Sequence, residues 1–571
     1  MADFAGAGPF AASAGGVDVV VVNTSSGLKA YDGRCPHQGA LLGEGELSAN
    51  TLVCRNHGWR FDADSGARRG GPQCLVTCPL SIRGADVWID VSALAATHEP
   101  RGLVAARVLA DLPGPKPLPL LGNILQIDNN RLHLVLEKWA ATYGPMFTYR
   151  MGPQRVLAIA DAALAEQLLR DRPDTYRRPS IVEPVFREMG VAGVFSAEGA
   201  AWRAQRRLAM QALSQRQIRA SFAALRTVVG RFEQRWQSYA DSGAELDVVA
   251  EMKRFTVDVT TLLVFGHDVN TIEHGTDVIQ RNLELIFPTF NRRLFALVPT
   301  WRWLRMPADR RVDRALAELR QWLGVRVAES RERLGEDRSR AERPENFIES
   351  MLTSRDADDQ PFSDDVIFGN AMTMLLAGED TTAFTLAWAI HHLCEAPRAV
   401  ARLRAASDAV LMDDVAPFDF DATGRLAYAG AVANEAMRMR PVAPTIFLEN
   451  NRDVIIADVA VPARTWIVLL TRPPALQHTN FADPETFWPE RWLEDALVVA
   501  PHETGAQMPF GSGPRICPGR SLALLEMKLV LSMIYRSFHV ERVGDAANVH
   551  EAFAFTMSPV GLKVRLRRRS G

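Results

Sequence analysis

Four prolines at alternate positions, Pro113, Pro115, Pro117 and Pro119 in LPGPKPLPLLGN, divide this chain into two unlike parts. Each proline fixes φ and removes a backbone donor, so the segment is held extended and no helix or inner strand runs through it. At 571 residues the chain is also too long for one hydrophobic core. Before residue 95, the strand-like runs VDVVVV, GLKAYDG, NTLVC, WRFDADSG and ADVWIDV alternate with SSG, DSG and RRGGP turns. That is the pattern of a small all-β unit, placed at 1–95. From 113 to 571 the texture is that of long helices with a smaller sheet region. Residues 96–112 read as a linker. As a flexible coil it would reach about 20–25 Å, keeping the two units neighbours at an effective concentration on the order of mM.

Composition narrows the function classes. With 47% apolar and 23% charged residues and a net charge of −2, the chain is ordinary globular material with no general attraction for nucleic acid. Its six cysteines are too sparse for a disulfide scaffold and fit a reducing, cytoplasmic setting. The most apolar late stretch, 522–535, is interrupted by Glu526 and Lys528. No window approaches the roughly 20 apolar residues of a membrane span. A soluble protein is expected, with no oligomeric state implied.

Cys35 and His37 are followed, after sixteen residues, by Cys54 and His57. Two loops that each offer a thiolate and an imidazole suit a two-iron cluster with unlike ends; zinc could use the same four ligands tetrahedrally. The stretch CPHQGALLGEGELSANTLVCRNHGWRFDADSG resembles Rieske ferredoxins and oxygenase Rieske domains, with Gly71 and Pro72 matching a third covering loop. The resemblance implies a [2Fe-2S] cluster, with Cys35 and Cys54 on one iron and His37 and His57 on the other. Ala40 and Asn56 stand where respiratory Rieske proteins carry a disulfide between the loops, and Trp59 and Phe61 where those proteins place hydroxyls. Fewer hydrogen bonds to sulfur predict a potential toward the low end of the Rieske range.

Near the C-terminus, FGSGPRICPG surrounds Cys517 with glycines and prolines, building a tight loop whose amides can bond a thiolate ligand. Ser363 starts a helical pattern, with Ser363 as N-cap, that runs to about Glu395 and contains a polar island, Ala377 to Thr382, in an apolar span. Buried polar groups need partners or a purpose. Glu435 and Arg438 share a helical face, and PERW later supplies Arg491. These motifs, in this order over 113–567, resemble cytochrome P-450. The resemblance implies haem b ligated by Cys517, with Phe510, Arg515, Trp202, Arg206 and Gly378 around it, the last keeping backbone clear of the haem face. It further implies Asp380 and Thr381 as the proton-relay and oxygen-binding pair, and Glu435, Arg438 and Arg491 as a structural triad. The expected fold is a small all-β Rieske domain followed by a mainly α P-450 domain with a long central helix.

Together these features predict a monooxygenase that uses O₂ on a hydrophobic small molecule, with electrons reaching the haem from the fused cluster. No nucleotide-binding glycine fingerprint or flavin domain is evident, so a separate NAD(P)H-dependent flavoprotein ferredoxin reductase is implied. Two rivals are an H₂O₂-driven peroxygenase and a redox or gas sensor. A third, a Rieske ring-hydroxylating oxygenase, does not fit the C-terminal haem motifs.

Overall fold

The computed structural model describes residues 8–569 apart from 16, 57, 85, 95–104, 276–277, 297, 356–359, 412–418 and 494–501. In the N-terminal part, β1 (Phe10–Ala14), β2 (Val17–Thr24) and β3 (Gly27–Asp32) form an antiparallel sheet. A second sheet joins β4 (Glu46–Ser48), β5 (Thr51–Val53) and β6 (Arg60–Asp62). The short β7 (Thr77–Cys78) completes the first sheet in the order β1-β2-β3-β7, and β8 (Leu80–Arg83) pairs with β9 (Asp86–Ile89). The unbroken valine run in β2 has a packing cause. Val20 and Val22 join Tyr31, Leu42, Leu52 and Phe61 on one face, while Val19 and Val21 pack with Ala30 and Cys78 on the other. A strand buried on both faces needs no polar alternation.

The remainder is mainly helical. Six of its helices matter for the site: α1 (Gly199–Ala212), α2 (Val248–Phe265), α3 (Val278–Leu294), α4 (Asp364–Leu393), α5 (Ala427–Met439) and α6 (Arg520–Ser537). The 30-residue α4 is about 45 Å long, and its middle is buried almost all round, as an apolar-all-round helix must be. Ser363 occupies the N-cap with extended backbone, but its side chain makes no capping bond. The acids Asp364 and Asp365 supply the favourable first-turn charge instead. A five-stranded sheet (Met146–Met151, Gln154–Ile159, Trp466–Leu470, Thr445–Asn450, Tyr176–Arg177) lies beside the helices.

Part of the expected linker is folded. Arg107–Val108 pairs in parallel with Val459 and Ala460, and the Arg107 guanidinium grips the Asp458 carboxylate at 2.6 and 2.8 Å. The chain is therefore anchored to the larger unit from about residue 106, and the stretch 95–104 lies outside the described residues. No described helix is long and apolar enough to cross a membrane.

Candidate functional site

The cysteine loop is set by its glycines. Gly511 and Gly513 both adopt positive φ, +73° and +72°, and a Cβ on Gly513 would stand 2.2 Å from the Leu169 carbonyl. The Cys517 amide closes the loop onto the Phe510 carbonyl at 2.9 Å. Burial pushes the Cys517 thiol up, while the amides of Gly519 and Arg520, at the start of α6, bond the sulfur and favour its thiolate, helped by the Arg206 and Arg520 charges. Phe510 is half-buried and carries the Arg520 guanidinium 5.8 Å above its ring. Cys517 lies deep among protein atoms yet keeps accessible surface between the buried Pro514 and Ile516 and the half-buried Pro518, free to meet a ligand.

In the polar island of α4, Ala377 is exposed and Thr381 partly exposed, one turn apart, in the middle of a mostly buried helix. Accessible surface at the centre of such a helix marks a hollow beside it. The Thr381 hydroxyl donates to the Ala377 carbonyl at 2.8 Å, so this side chain makes the back-bond typical of helical threonines while still facing the hollow. Gly378, between them, is also partly accessible. A Cβ there would meet Thr260 Oγ1 at 2.7 Å, so this glycine also lets α4 and α2 approach. Asp380 also turns toward α2, where Lys253 Nζ lies 2.7 Å from its carboxylate. Lys253 was not legible as a partner, because nothing in the sequence aligns one helix's register with another's.

Phe555 stands in an aromatic cluster close to the island. It sits at the tip of the hairpin His550–Ala554 and Thr556–Val560 with φ +77°, a left-handed conformation an aromatic adopts only when packing enforces it. Its ring lies 5.7 Å from Phe195, 6.2 Å from Phe287 and 6.4 Å from Phe290. The neighbouring Thr556 acts on Asp380, which places this hairpin tip against the island.

Three guanidiniums converge at the opposite edge. Arg515 pairs with Glu198 at 2.6 Å, stacks 4.6 Å from the Trp202 ring and has buried N–H groups, on Nε and Nη1, without protein partners. Arg172 is 3% exposed, and its Nε and Nη2 are likewise unpartnered. Arg178 rests 3.6 Å above Phe195 and donates to its carbonyl, packed rather than solvated. Burial pulls the Arg515 guanidinium down to about 9 and Arg178 to about 10, and Arg172 well below its ordinary value. Three buried cations facing one carboxylate call for further anionic partners.

The triad is complete and sealed. Arg438 grips Glu435 through two bonds of 2.9 and 2.8 Å, Arg491 reaches the same carboxylate at 3.1 Å, and all three residues are fully buried. Trp492 Nε1 and the Trp488 amide add bonds of 2.9 Å each, so the carboxylate oxygens are saturated.

The two N-terminal ligand loops repeat one geometry. The Cys35 amide donates to the Ala40 carbonyl and the Cys54 amide to that of Trp59, both at 2.8 Å. In each loop the amide four residues after the cysteine returns to the cysteine carbonyl, from Gly39 or Gly58, with φ +68° and +69°. The two sulfurs meet: contact with Cys54 and burial push the Cys35 thiol up, while the His37 amide bonds the Cys35 sulfur. His37 stacks on Trp59 at 4.3 Å, and Arg68 covers the other face of that indole at 3.4 Å. Burial, with Arg68, Arg170 and Arg520 nearby, lowers the His37 imidazole to about 4, leaving it neutral and fit to be a ligand. Asn56 donates to Gln38 at 3.1 Å across the loops, where respiratory Rieske proteins have their disulfide. His57 lies outside the described residues.

These loops sit on the cysteine loop. The Gly513 amide and the Ser512 hydroxyl both donate to the Gln38 carbonyl, at 2.8 and 3.0 Å. Arg55 donates to the carbonyls of Met210, Leu213 and Pro518. Arg206, expected beside the haem carboxylates, forks onto Glu44 at 2.8 and 2.9 Å and gives its remaining bond to the Ile516 carbonyl at 2.6 Å. Glu44 of the N-terminal unit and the Ile516 carbonyl between them occupy its donors, so it joins the two units instead. Farther out, Arg34 and Arg203 both pair with Asp18 and Asp174.

Both implied groups fit. The exposed, amide-bonded Cys517 and the unpartnered N–H groups of Arg515 and Arg172 suit a haem with its two carboxylates; the touching sulfurs of Cys35 and Cys54 beside neutral His37 suit an iron–sulfur cluster. The comparisons agree. The cytochrome P450 family matches residues 112–566, and the Rieske [2Fe-2S] domain family matches residues 2–79. The chain is 26% identical over 471 residues to protein LUTEIN DEFICIENT 5, chloroplastic, of Arabidopsis thaliana, covering 80% of this chain and 77% of that one. It is 29% identical over 457 residues to mouse (Mus musculus) 25-hydroxyvitamin D-1 alpha hydroxylase, mitochondrial, covering 76% and 87%. The crystal structure of the cytochrome P450DA heme domain superposes with a TM-score of 0.72 at 22% identity, over 81% of this chain and 99% of that one, which shows the fold. The chain belongs to the cytochrome P450 family and is a monooxygenase carrying an N-terminal Rieske domain.

Proposed function

We propose that the N-terminal domain is the immediate electron donor to the haem domain, itself supplied by a separate NAD(P)H-dependent flavoprotein reductase, and that the substrate is a bulky apolar molecule hydroxylated in the hollow beside Thr381. The observation that carries the donor reading is the pair of hydrogen bonds from Ser512 and Gly513 to Gln38. They join the residue after His37 to the loop that holds Cys517. When bound, haem supplies dioxygen activation and oxygen-atom transfer, and the cluster supplies one-electron transfer.

In this reading Cys35, His37, Cys54 and His57 hold the cluster, Cys517 holds the haem, and Arg515 and Arg172 neutralise its carboxylates. Phe195 and Phe555 orient the substrate and exclude water. Thr381 and Asp380 hold and move protons, with Asp380 released from Lys253 when it does so. The name of the mouse relative, 25-hydroxyvitamin D-1 alpha hydroxylase, supports a bulky, lipid-like substrate class.

The test mixes anaerobic, CO-saturated protein with NADPH and a ferredoxin reductase and times the thiolate–CO Soret band, with Cys54→Ser as the cluster-free control. Fast reduction in the parent alone supports the donor reading. Equal reduction in both removes it and brings forward the sensor or peroxygenase reading.

A further inference from the structure

Two carboxyl groups on adjacent residues of α4 share one ammonium. Lys253 Nζ lies 2.7 Å from Asp380 Oδ1 and 3.7 Å from Glu379 Oε1. Glu379 is 1% exposed and Asp380 4%, and among the described residues no other ion pair reaches either. One buried cation balances one buried carboxylate; a second, unbalanced charge in the same place is costly, and the group neutralises instead. The shorter contact assigns the charge to Asp380 and the proton to Glu379.

The surroundings agree from each side. From α2 comes Lys253, from α3 Glu284, and from the hairpin tip Thr556. Burial pushes Glu379 up to about 8, Lys253 opposes this, and the Asp380 and Glu284 charges add to it. Burial also raises Asp380, held back by Lys253 and Thr556. Glu284 is exposed and acts on both Glu379 and Lys253, so its side of the cluster is where bulk water comes nearest.

We propose that Glu379 is a proton store for the site: the Lys253 ammonium, within reach of both carboxyls, gives a proton to the Asp380 carboxylate, which serves Thr381, and takes the Glu379 proton in its place, and Glu379 is reloaded from water on the Glu284 side. The transfer leaves Glu379 as carboxylate and Asp380 as acid. Lys253 lies within reach of both, so its charge balances whichever carboxylate is ionised. When Asp380 passes the proton on, Glu379 takes up one from water and the starting arrangement returns. A carboxyl that holds its proton near neutrality is matched to this task. The inference rests on the reading that Asp380 and Thr381 deliver protons, and it makes Glu379 a relay residue acting through Asp380.

The test uses the holoenzyme. Infrared difference spectra between pH 6 and pH 9, taken in a Glu526→Gln background because that buried carboxyl titrates in the same range, should show a protonated buried carboxyl that disappears as pH rises. It should be lost in Glu379→Gln, and in Asp380→Asn, where Lys253 is left to Glu379 alone, it should disappear at lower pH. In turnover, Glu379→Gln should raise the peroxide-to-product ratio severalfold and shift the alkaline limb of the pH profile, with Glu379→Asp restoring both. A carboxyl signal that survives in Glu379→Gln, or normal coupling in Glu379→Gln while Asp380→Asn uncouples, overturns the store. Normal coupling in Asp380→Asn overturns the reading beneath it.

Discussion

The Gln38 carbonyl accepts a hydrogen bond from the Gly513 amide at 2.8 Å, tying the cluster loop of one domain to the cysteine loop of the other. Around it Arg206 holds Glu44 with one edge of its guanidinium and the carbonyl before Cys517 with the other. The guanidinium is 4% exposed, so this contact is desolvated and strong rather than a screened surface pair.

Removing Glu44 should therefore loosen the docking without touching a ligand. Glu44→Ala is expected to keep full cluster and haem content but to slow reduction of the haem severalfold, measured by stopped-flow absorbance. Unchanged kinetics would mean that Arg206 and Glu44 are not part of the electron-delivering contact.

The triad predicts a folding phenotype. Glu435→Ala would leave Arg438 and Arg491 buried without their counter-charge, a change that costs about 3–5 kcal/mol. Calorimetry should show a large fall in Tm, together with poor haem incorporation, whereas Glu198→Ala at the less sealed Arg515 pair should cost less.

Haem retention should depend on the buried arginines. Arg515→Leu is expected to weaken haem binding, and the double change with Arg172→Leu to weaken it further, read as haem loss to apomyoglobin. If neither variant releases haem faster than the parent, these arginines do not face its carboxylates.

Much of this was legible in the sequence because the chemistry is local. The Cys517 loop, the Cys35 and Cys54 loops, the 30-residue helix and the triad each lie in one or two short stretches. What the sequence misplaces is a matter of tertiary register: its motif points Arg206 toward the haem carboxylates, and the fold sets it on Glu44. Lys253, Arg172 and Phe555 carried no signal of their own. A lone Lys or Arg in a helix or loop usually marks a solvated face, and only the fold turns these inward.

Buried carboxyls that hold their protons contribute stability that falls as pH rises, and Glu526 isolates this cause. This α6 carboxyl is 3% exposed, and burial raises it to about 8. A group whose folded value exceeds its unfolded one stabilises fully below the unfolded value, about 4.5, and loses that contribution as pH climbs through 8. Glu526→Gln should match the parent near pH 5 and exceed it at pH 8 by roughly 2–5 kcal/mol, followed by denaturant unfolding at both pH values. Glu379 acts in the same direction, so the variant should keep part of the slope.

The central claim is that electrons pass within one chain, from the N-terminal domain to the haem domain. The most direct test pre-reduces the cluster under CO and follows the rate of haem reduction over a wide range of protein concentration. A first-order rate independent of concentration is the predicted result. A rate that rises in proportion to concentration would show transfer between molecules and contradict the account.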